Sequence, residues 1–521
     1  MTGVDRAAPG RLMWNLERRE AAMLAAIVAA TALVYLPSIR NGFVWDDWMQ
    51  IVDADLIHRW SGIGRSFVND AWWFQDPTHL PKSAYFRPMQ ATWFGLNYMI
   101  VGNRPALWHL EKVGLELIGV MLSFRLAQLL TRNSTVALLT AAIFGLLPAN
   151  AESVVWASAI GEPLSTICGM GALCCLIGRK PGSSRAMVSA LILYAVAMLS
   201  HETAILSGAI VAAYVFLIER KSVGESVRLA TPFILVAVAY LFMRLNALGT
   251  SNFFGLPYFQ DISVRAGWAA PVPPRGVRDL MLTAPVVLLA YLGVLIVPGM
   301  AAPAHDVHWI ASASASTFVA AGILVALAAI ASVAVWRSSY RNLYLFCAAW
   351  SLLTLAPSMR LNALATLVED RLLYAPSFGW SLAFALAIMQ LAQALPRARF
   401  AIAGAMALLL AAYAVAIVRG ELYWHDDETF FAHCEELDPH DADYLRIRVT
   451  LMNQQGDFTS ALNALQHAEA LDPENSYIHL KLAHEYSMMQ RGQDAVSEIT
   501  TTRALWAKER AARSAAAKPS P

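Results

Sequence analysis

Up to about residue 420 the chain alternates apolar runs of bilayer length with short polar turns, and this period predicts membrane-spanning helices. Runs near 21–39, 107–130, 134–149, 154–178, 186–200, 203–218, 229–247, 312–335, 342–357, 375–394 and 400–418 are the candidates, about eleven transmembrane helices in all. A further run, 281–297, is apolar enough to cross. Crossing there would move Arg337 and Arg341 to the opposite side and send the tail to the cytoplasm, so this run is expected to be a re-entrant or interfacial helix. The fold class predicted is all-α, a polytopic membrane protein.

From Arg419 the pattern changes to amphipathic and polar. Leu437-Asp438-Pro439 returns as Leu471-Asp472-Pro473, Ala461 as Ala495 and Leu462 as Val496, each 34 positions on (471 − 437, 495 − 461, 496 − 462). That is the period of the tetratricopeptide (TPR) repeat, a stacked helical hairpin. The expected organisation is a cytoplasmic segment 1–20, a transmembrane catalytic domain 21–418 with a first outer loop 40–106, TPR-like helical repeats 419–507, and a disordered tail 508–521. The repeats read equally as a docking surface for a protein partner and as a structural cap.

Composition agrees with the pattern: 57% of residues are hydrophobic and 15% charged, against about 25% charged in soluble domains. A net charge of +1 gives no field for nucleic acid. The five cysteines form no CxxC or Cys/His metal spacing, and no disulfide framework is implied. Met1 to Glu20 carries Arg6, Arg11, Arg18 and Arg19 ahead of a full-length span, so an uncleaved first helix with a cytoplasmic N-terminus is expected. Arg132, Arg179, Lys180, Arg185, Arg220, Lys221, Arg228, Arg337, Arg341, Arg397 and Arg399 then fall on the same side as the N-terminus. This positive-inside pattern puts the 40–106 loop and the tail outside, in the periplasm of a bacterial inner membrane.

The outer turns hold the candidate chemistry. Asp46 and Asp47 follow the first span, Glu152 and Glu162 lie after the third, His201-Glu202 links the fifth and sixth, Arg244 lies near the outer end of the seventh, and Glu369-Asp370-Arg371 precedes the tenth. Each alone reads as a solvated helix end. The set reads as a site, because ionisable groups at membrane depth are costly. The first outer loop adds Trp45, Trp48, Trp60, Trp72, Trp73, Phe74, Tyr85, Phe86 and Trp93, an interfacial belt and a surface for sugar and lipid.

At these residues a family resemblance enters. Phe43-Val44-Trp45-Asp46-Asp47, Tyr85-Phe86-Arg87-Pro88 and Leu107-Trp108-His109-Leu110 resemble the opening of membrane glycosyltransferases that end in tetratricopeptide repeats. Leu147-Pro148 with Glu152-Ser153-Val154-Val155-Trp156, the His201-Glu202 turn, and Glu369 to Ser377 are similar to later segments of that family, in order. Leu147 stands where the family often has His, and Glu162-Pro163 replaces its Arg-x-Asp. The resemblance implies the GT-C superfamily and kinship with protein O-mannosyltransferases. It also implies inverting transfer of a hexose from a polyprenyl-phosphate donor, without a nucleotide sugar at the site.

The chemistry follows from the residues as well. Attack by an acceptor hydroxyl needs a base, which a placed carboxylate supplies, and the leaving phosphate needs cations. Asp46 is the expected base, with Asp47 shaping its charge or orientation. Arg371 leads the phosphate-binding candidates, followed by Arg87, Arg244 and His201. Glu152, Glu202, Glu369, Asp370 and Tyr85 are expected to orient these groups or the substrate. Asp46 and Asp47 could hold Mg²⁺ or Mn²⁺, though two adjacent residues make a poor cage. Membrane lipid, the lipid-linked sugar and a protein or glycan acceptor are the expected partners. The alternatives are a polyprenyl-linked glycan polymerase or ligase, and a non-enzymatic scaffold or transporter recruiting partners through the repeats.

Overall fold

The computed structural model describes residues 17–75, 83, 85–178, 183–252, 277–310, 312–357, 367–439, 442–471 and 473–516. The 250–280 loop, where acceptor choice is expected to lie, falls mostly outside them. Among the described residues there is no strand, and the molecule is an all-helical, multi-pass membrane protein. It divides into two compact units, the second made mainly of Asp426–Pro521.

The first unit begins with α1 (Arg18–Tyr35), α2 (Trp60–Arg65), α3 (Pro88–Val101), α4 (Pro105–Thr131), α5 (Ser134–Leu146), α6 (Ala151–Val155) and α7 (Gly161–Ile177). It continues with α8 (Ser184–Ser200), α9 (Ser207–Ala213), α10 (Val223–Asn252), α11 (Val277–Ile296), α12 (Ala315–Arg337), α13 (Arg341–Leu355), α14 (Tyr374–Ala394) and α15 (Arg399–Glu421). Among the described residues, seven helices are long and apolar enough to cross a membrane, or eight if the bent pair around residue 147 is one span, and three apolar helices are shorter.

Local chemistry sets the helix ends. Pro105 starts α4, and Arg132 closes it in the left-handed conformation. Asn133 then caps α5 by accepting from Val136 N. Small residues let the helices close up. A Cβ on Gly145 would lie 2.5 Å from Thr31 Oγ1 and 2.7 Å from a methyl of Val120, so α1, α4 and α5 meet there. Outward faces carry exposed Leu33, Ile192, Leu235, Phe242, Val325 and Leu408, as lipid-facing surface does.

Two expected spans differ from the continuous helices that the apolar runs suggest. The run 134–149 ends as helix at Leu146 and turns by 54° into Pro148–Val155; Pro148 cannot donate within the helix, and Asn150 Nδ2 donates to Phe144 O instead. The run 154–178 is interrupted between Val155 and Gly161. Helix α11 is long and apolar enough to cross by itself. Its contacts place it along one end of the bundle: Thr283 accepts from Ile310 N, just ahead of α12, and Tyr291 accepts from Glu369 N, just ahead of α14.

The bundle has two chemically distinct ends. At one, Asn342 donates to Leu217 O, Tyr344 to Gln390, and Asn133 to Met389 Sδ, which groups the basic turns around Arg132, Arg337 and Arg341. The acidic turns gather at the other end, described below.

The second unit contains α16 (Asp427–Leu437), α17 (Ala442–Gln454), α18 (Phe458–Leu471), α19 (Ser476–Met488) and α20 (Gly492–Ala516). α17 and α19 start 34 residues apart (476 − 442), as do α18 and α20 (492 − 458). The interval in the sequence is therefore the interval of two helical hairpins, closed over Leu445, Val449, Ala461, Leu465, Ile478, Leu482 and Ala495. The compact boundary falls at His425/Asp426 rather than at 418/419, because α15 continues through Arg419 to Glu421. Helix α20 runs to Ala516, into the segment expected to be disordered.

Candidate active site

Five turns build the site: residues 41–50 after α1, Arg87 ahead of α3, the 148–162 break, His201-Glu202 after α8, and Glu369–Arg371 ahead of α14. Asp46 and Asp47 are neighbours with different fates. Asp47 is buried, and its two oxygens accept from Val44 N at 3.0 Å and Ser158 N at 2.7 Å. It ties its own loop to the 156–160 turn. Asp46 is half-buried and accepts from Gln50 Nε2 at 3.1 Å. Gln50 in turn accepts from Gln90 Nε2 at 3.1 Å. With both Asp47 oxygens committed to backbone amides, the pair offers a divalent cation the Asp46 carboxylate, itself bonded to Gln50, rather than two free carboxylates.

Burial pushes the Asp46 carboxyl up to about 6, against the opposing pull of the Arg371 guanidinium and the Gln50 amide; Glu369 adds to the rise. Burial likewise pushes Asp47 up to about 7, opposed by its bonds from Val44 and Ser158 and reinforced by Asp46. Asp46 is thus ionised at neutral pH yet basic enough to take a proton.

Two arginine centres lie at this end of the bundle, and Arg371 acts on Asp46. Arg371 reaches Glu152 Oε1 at 2.6 Å and Glu369 Oε2 at 2.7 Å, and its backbone N donates to Glu152 Oε2 at 2.9 Å. Its guanidinium lies 5.1 Å over the Trp156 ring. Asp370, beside it, is buried and accepts from Ala302 N at 2.7 Å, so it anchors the chain after α11. Arg87 binds Glu202 through two parallel bonds, Nε–Oε2 at 2.8 Å and Nη2–Oε1 at 2.9 Å, and lies over the Tyr85 ring. His201 Nε2 sits 3.0 Å from Glu162 Oε1, and its Nδ1 is 2.9 Å from Thr203 Oγ1. Glu162 is within electrostatic reach of both Arg87 and Arg371 and so joins the two centres. Arg244 meets Tyr240, whose hydroxyl donates to Phe86 O.

All eleven expected site residues, Asp46, Asp47, Tyr85, Arg87, Glu152, His201, Glu202, Arg244, Glu369, Asp370 and Arg371, lie at this end of the bundle. Their roles are unequal: Asp47 and Asp370 are held by backbone amides, and Arg87 and His201 each have a buried carboxylate partner. The sequence reading left Glu162 without a role and passed over Gln50, Gln90, Lys112, Trp156 and Ser158. The sole advance signal among these was Lys112, a cation in mid-helix; its Nζ donates to Ala159 O at 2.6 Å.

Comparison with known proteins follows this geometry. Drosophila melanogaster Tmtc3, a protein O-mannosyl-transferase, is 22% identical over 97% of this chain and 62% of its own length. Drosophila Tmtc1 is 28% identical over 37% of this chain and 22% of that protein, and human TMTC3 25% over 30% and 16%. The chain's relatives are TMTC protein O-mannosyl-transferases. Over Tmtc3 the match runs nearly end to end, yet the chain spans less than two thirds of the length of each of these TMTC proteins. No family model matches. Among solved structures, the Archaeoglobus fulgidus oligosaccharyltransferase aligns at a TM-score of 0.41 with 13% identity, over 77% of this chain and 53% of that one. ArnT from Cupriavidus metallidurans aligns at 0.34 with 17% identity, over 77% and 76%.

Proposed function

We propose that this protein is an inverting glycosyltransferase that moves a sugar, mannose by analogy with its relatives, from a polyprenyl phosphate to an acceptor hydroxyl. The observation that carries the reading is the placement of Asp46. Both chain neighbours are anchored to the Trp156–Ser158 turn, its own carboxylate accepts from the Gln50 side chain, and Arg371 is within electrostatic reach.

In the reaction the acceptor oxygen forms a bond to the anomeric carbon while the carbon–oxygen bond to phosphate breaks. The hydroxyl proton passes to Asp46, and the bonding pair leaves with the polyprenyl phosphate. Direct displacement inverts the anomeric centre. Arg371 meets the developing phosphate charge with a planar pair of donors, and Glu152 holds its guanidinium in place. The acceptor is a protein hydroxyl by the same analogy. Positive charge on the opposite turns supports a site on the periplasmic face.

The test is transfer from a radiolabelled polyprenyl-phosphate mannose into acceptor in membranes carrying wild type or Asp46→Asn. Transfer should be lost in the variant with protein level unchanged; turnover near wild type would remove Asp46 as base.

A further inference from the structure

We infer that the Trp156–Ser158 turn is the positioning element of the site, and that the Trp156 indole sets the direction in which Asp46 projects. The inference rests on the reading of Asp46 as the base and adds how that base is aimed.

Asp46 has one neighbour on each side, and the same turn grips both. Asp47 Oδ1 accepts from Ser158 N at 2.7 Å. Trp45 stacks on Trp156, with ring centres 5.1 Å apart and planes 6° from parallel. Trp45 also has φ of 57°, a left-handed conformation that a bulky residue seldom adopts. Such a conformation costs about 1–3 kcal/mol and persists where surrounding contacts over-determine it. Here one of those contacts is the stacked ring.

Trp156 has further ring contacts. Trp424 packs on it at 5.6 Å, tilted by 30°, and the Arg371 guanidinium lies over it. One indole therefore touches both the strained residue before the base and the cation assigned to the phosphate. Its own N–H is buried without a hydrogen-bond partner, so the faces of the ring, not its polar edge, account for its place. The turn is anchored in its turn from below: Lys112 Nζ donates to Ala159 O, and Gln90 Nε2 to Ser158 O at 3.4 Å. A Cβ on Gly161 would lie 3.1 Å from Ser200 O and 3.3 Å from Gln90 Oε1, so the turn also needs glycine to lie this close to α8 and α3. The charged groups that face the loop are Arg371 and Glu369 ahead of α14, Lys112 on α4 facing Asp47, and the two aspartates themselves.

The experiment uses full-length protein in detergent and dicyclohexylcarbodiimide, which reacts with protonated carboxyls in apolar surroundings. Peptide mass spectrometry follows the label on Asp46 against pH. Wild type and Trp156→Phe, which keeps a flat ring, should share one labelling midpoint. In Trp156→Ala and Trp45→Gly the midpoint should fall by about one pH unit as the loop opens to water. Turnover with radiolabelled polyprenyl-phosphate mannose should fall by about 100-fold in Trp45→Gly, although glycine removes the strain and leaves thermal stability near wild type. A purely structural ring would lower stability without moving the midpoint. Wild-type midpoints in both variants, or wild-type turnover in Trp45→Gly, overturn the inference. Turnover persisting in Asp46→Asn would instead overturn the base assignment, leaving the labelling result intact, so the two failures are told apart.

Discussion

The two arginine centres are built from the same residue types and differ in how their charges are closed. Arg87 spends its planar fork on one carboxylate, Glu202, in two parallel bonds. Arg371 divides its guanidinium between Glu152 and Glu369, lies against Trp156 and acts electrostatically on Asp46. A bidentate pair is geometrically complete, whereas a divided one can exchange a partner. The comparison teaches that carboxylate pairing alone does not rank arginines at a membrane site; the pairing pattern does. By that criterion Arg87 holds the start of α3 to the His201-Glu202 turn, and under the proposed function Arg371 is the arginine that meets the phosphate.

Four experiments would break or sharpen this contrast. The largest expected effect is Asp46→Asn, which should lower turnover by about 10²–10⁴-fold, measured with labelled donor at saturating acceptor. Arg371→Ala should follow at about 10²–10³-fold, with little rescue from Arg371→Lys because an ammonium lacks the fork. Equal losses in Arg87→Ala without loss of folded protein would dissolve the distinction. Third comes pH. Asp46 must be ionised to accept a proton, so kcat/KM should fall as pH drops through about 6. Glu369→Gln removes a charge that raises Asp46 and should shift that limb to lower pH, whereas Glu202→Gln should leave it in place. The linked stability effect has the opposite sign to a salt-bridged acid. Asp46 and Asp47 are raised from 3.8 to about 6 and 7, so the folded state holds protons there that the unfolded chain has released. Their contribution is present at low pH and is lost as pH rises from about 4 through 7. The smallest effect on turnover is expected from Glu202→Gln, a few-fold, with a cost of about 3 kcal/mol in thermal stability because it unpairs a half-buried guanidinium.

Much of the site was legible because membrane helices confine polar residues to short turns, and turns at alternate positions share an end. Asp46, Glu152, His201-Glu202 and Glu369–Arg371 could be grouped that way before any coordinates. The repeat tail was legible from the interval between Leu437-Asp438-Pro439 and Leu471-Asp472-Pro473, which the hairpins reproduce. The turn after Leu147 was marked by Pro148, Asn150 and Glu152, but hydropathy could not show the break at Trp156–Ile160, which lies inside the apolar run 154–178 and is held by hydrogen bonds from across the fold. Gln50, Gln90 and Ser158 were missed for a related reason: their partners are remote in the chain, as with Gln90 to Gln50 and Ser158 to Asp47, and no local pattern marks them. For α11 the expectation of a re-entrant or interfacial helix came from charge rather than length, and its hydrogen bonds run from Thr283 and Tyr291 to loops from elsewhere in the fold.

Arg371 has one more consequence under the proposed reaction. A guanidinium already touching two acids has its charge compensated before any lipid arrives. An incoming carrier therefore trades places with Glu369 rather than filling an empty socket, and the displaced carboxylate waits nearby to reclaim its seat. Grip on the spent carrier is weakened by the same rivalry, so the cycle resets by exchange of anions and the arginine is never left alone.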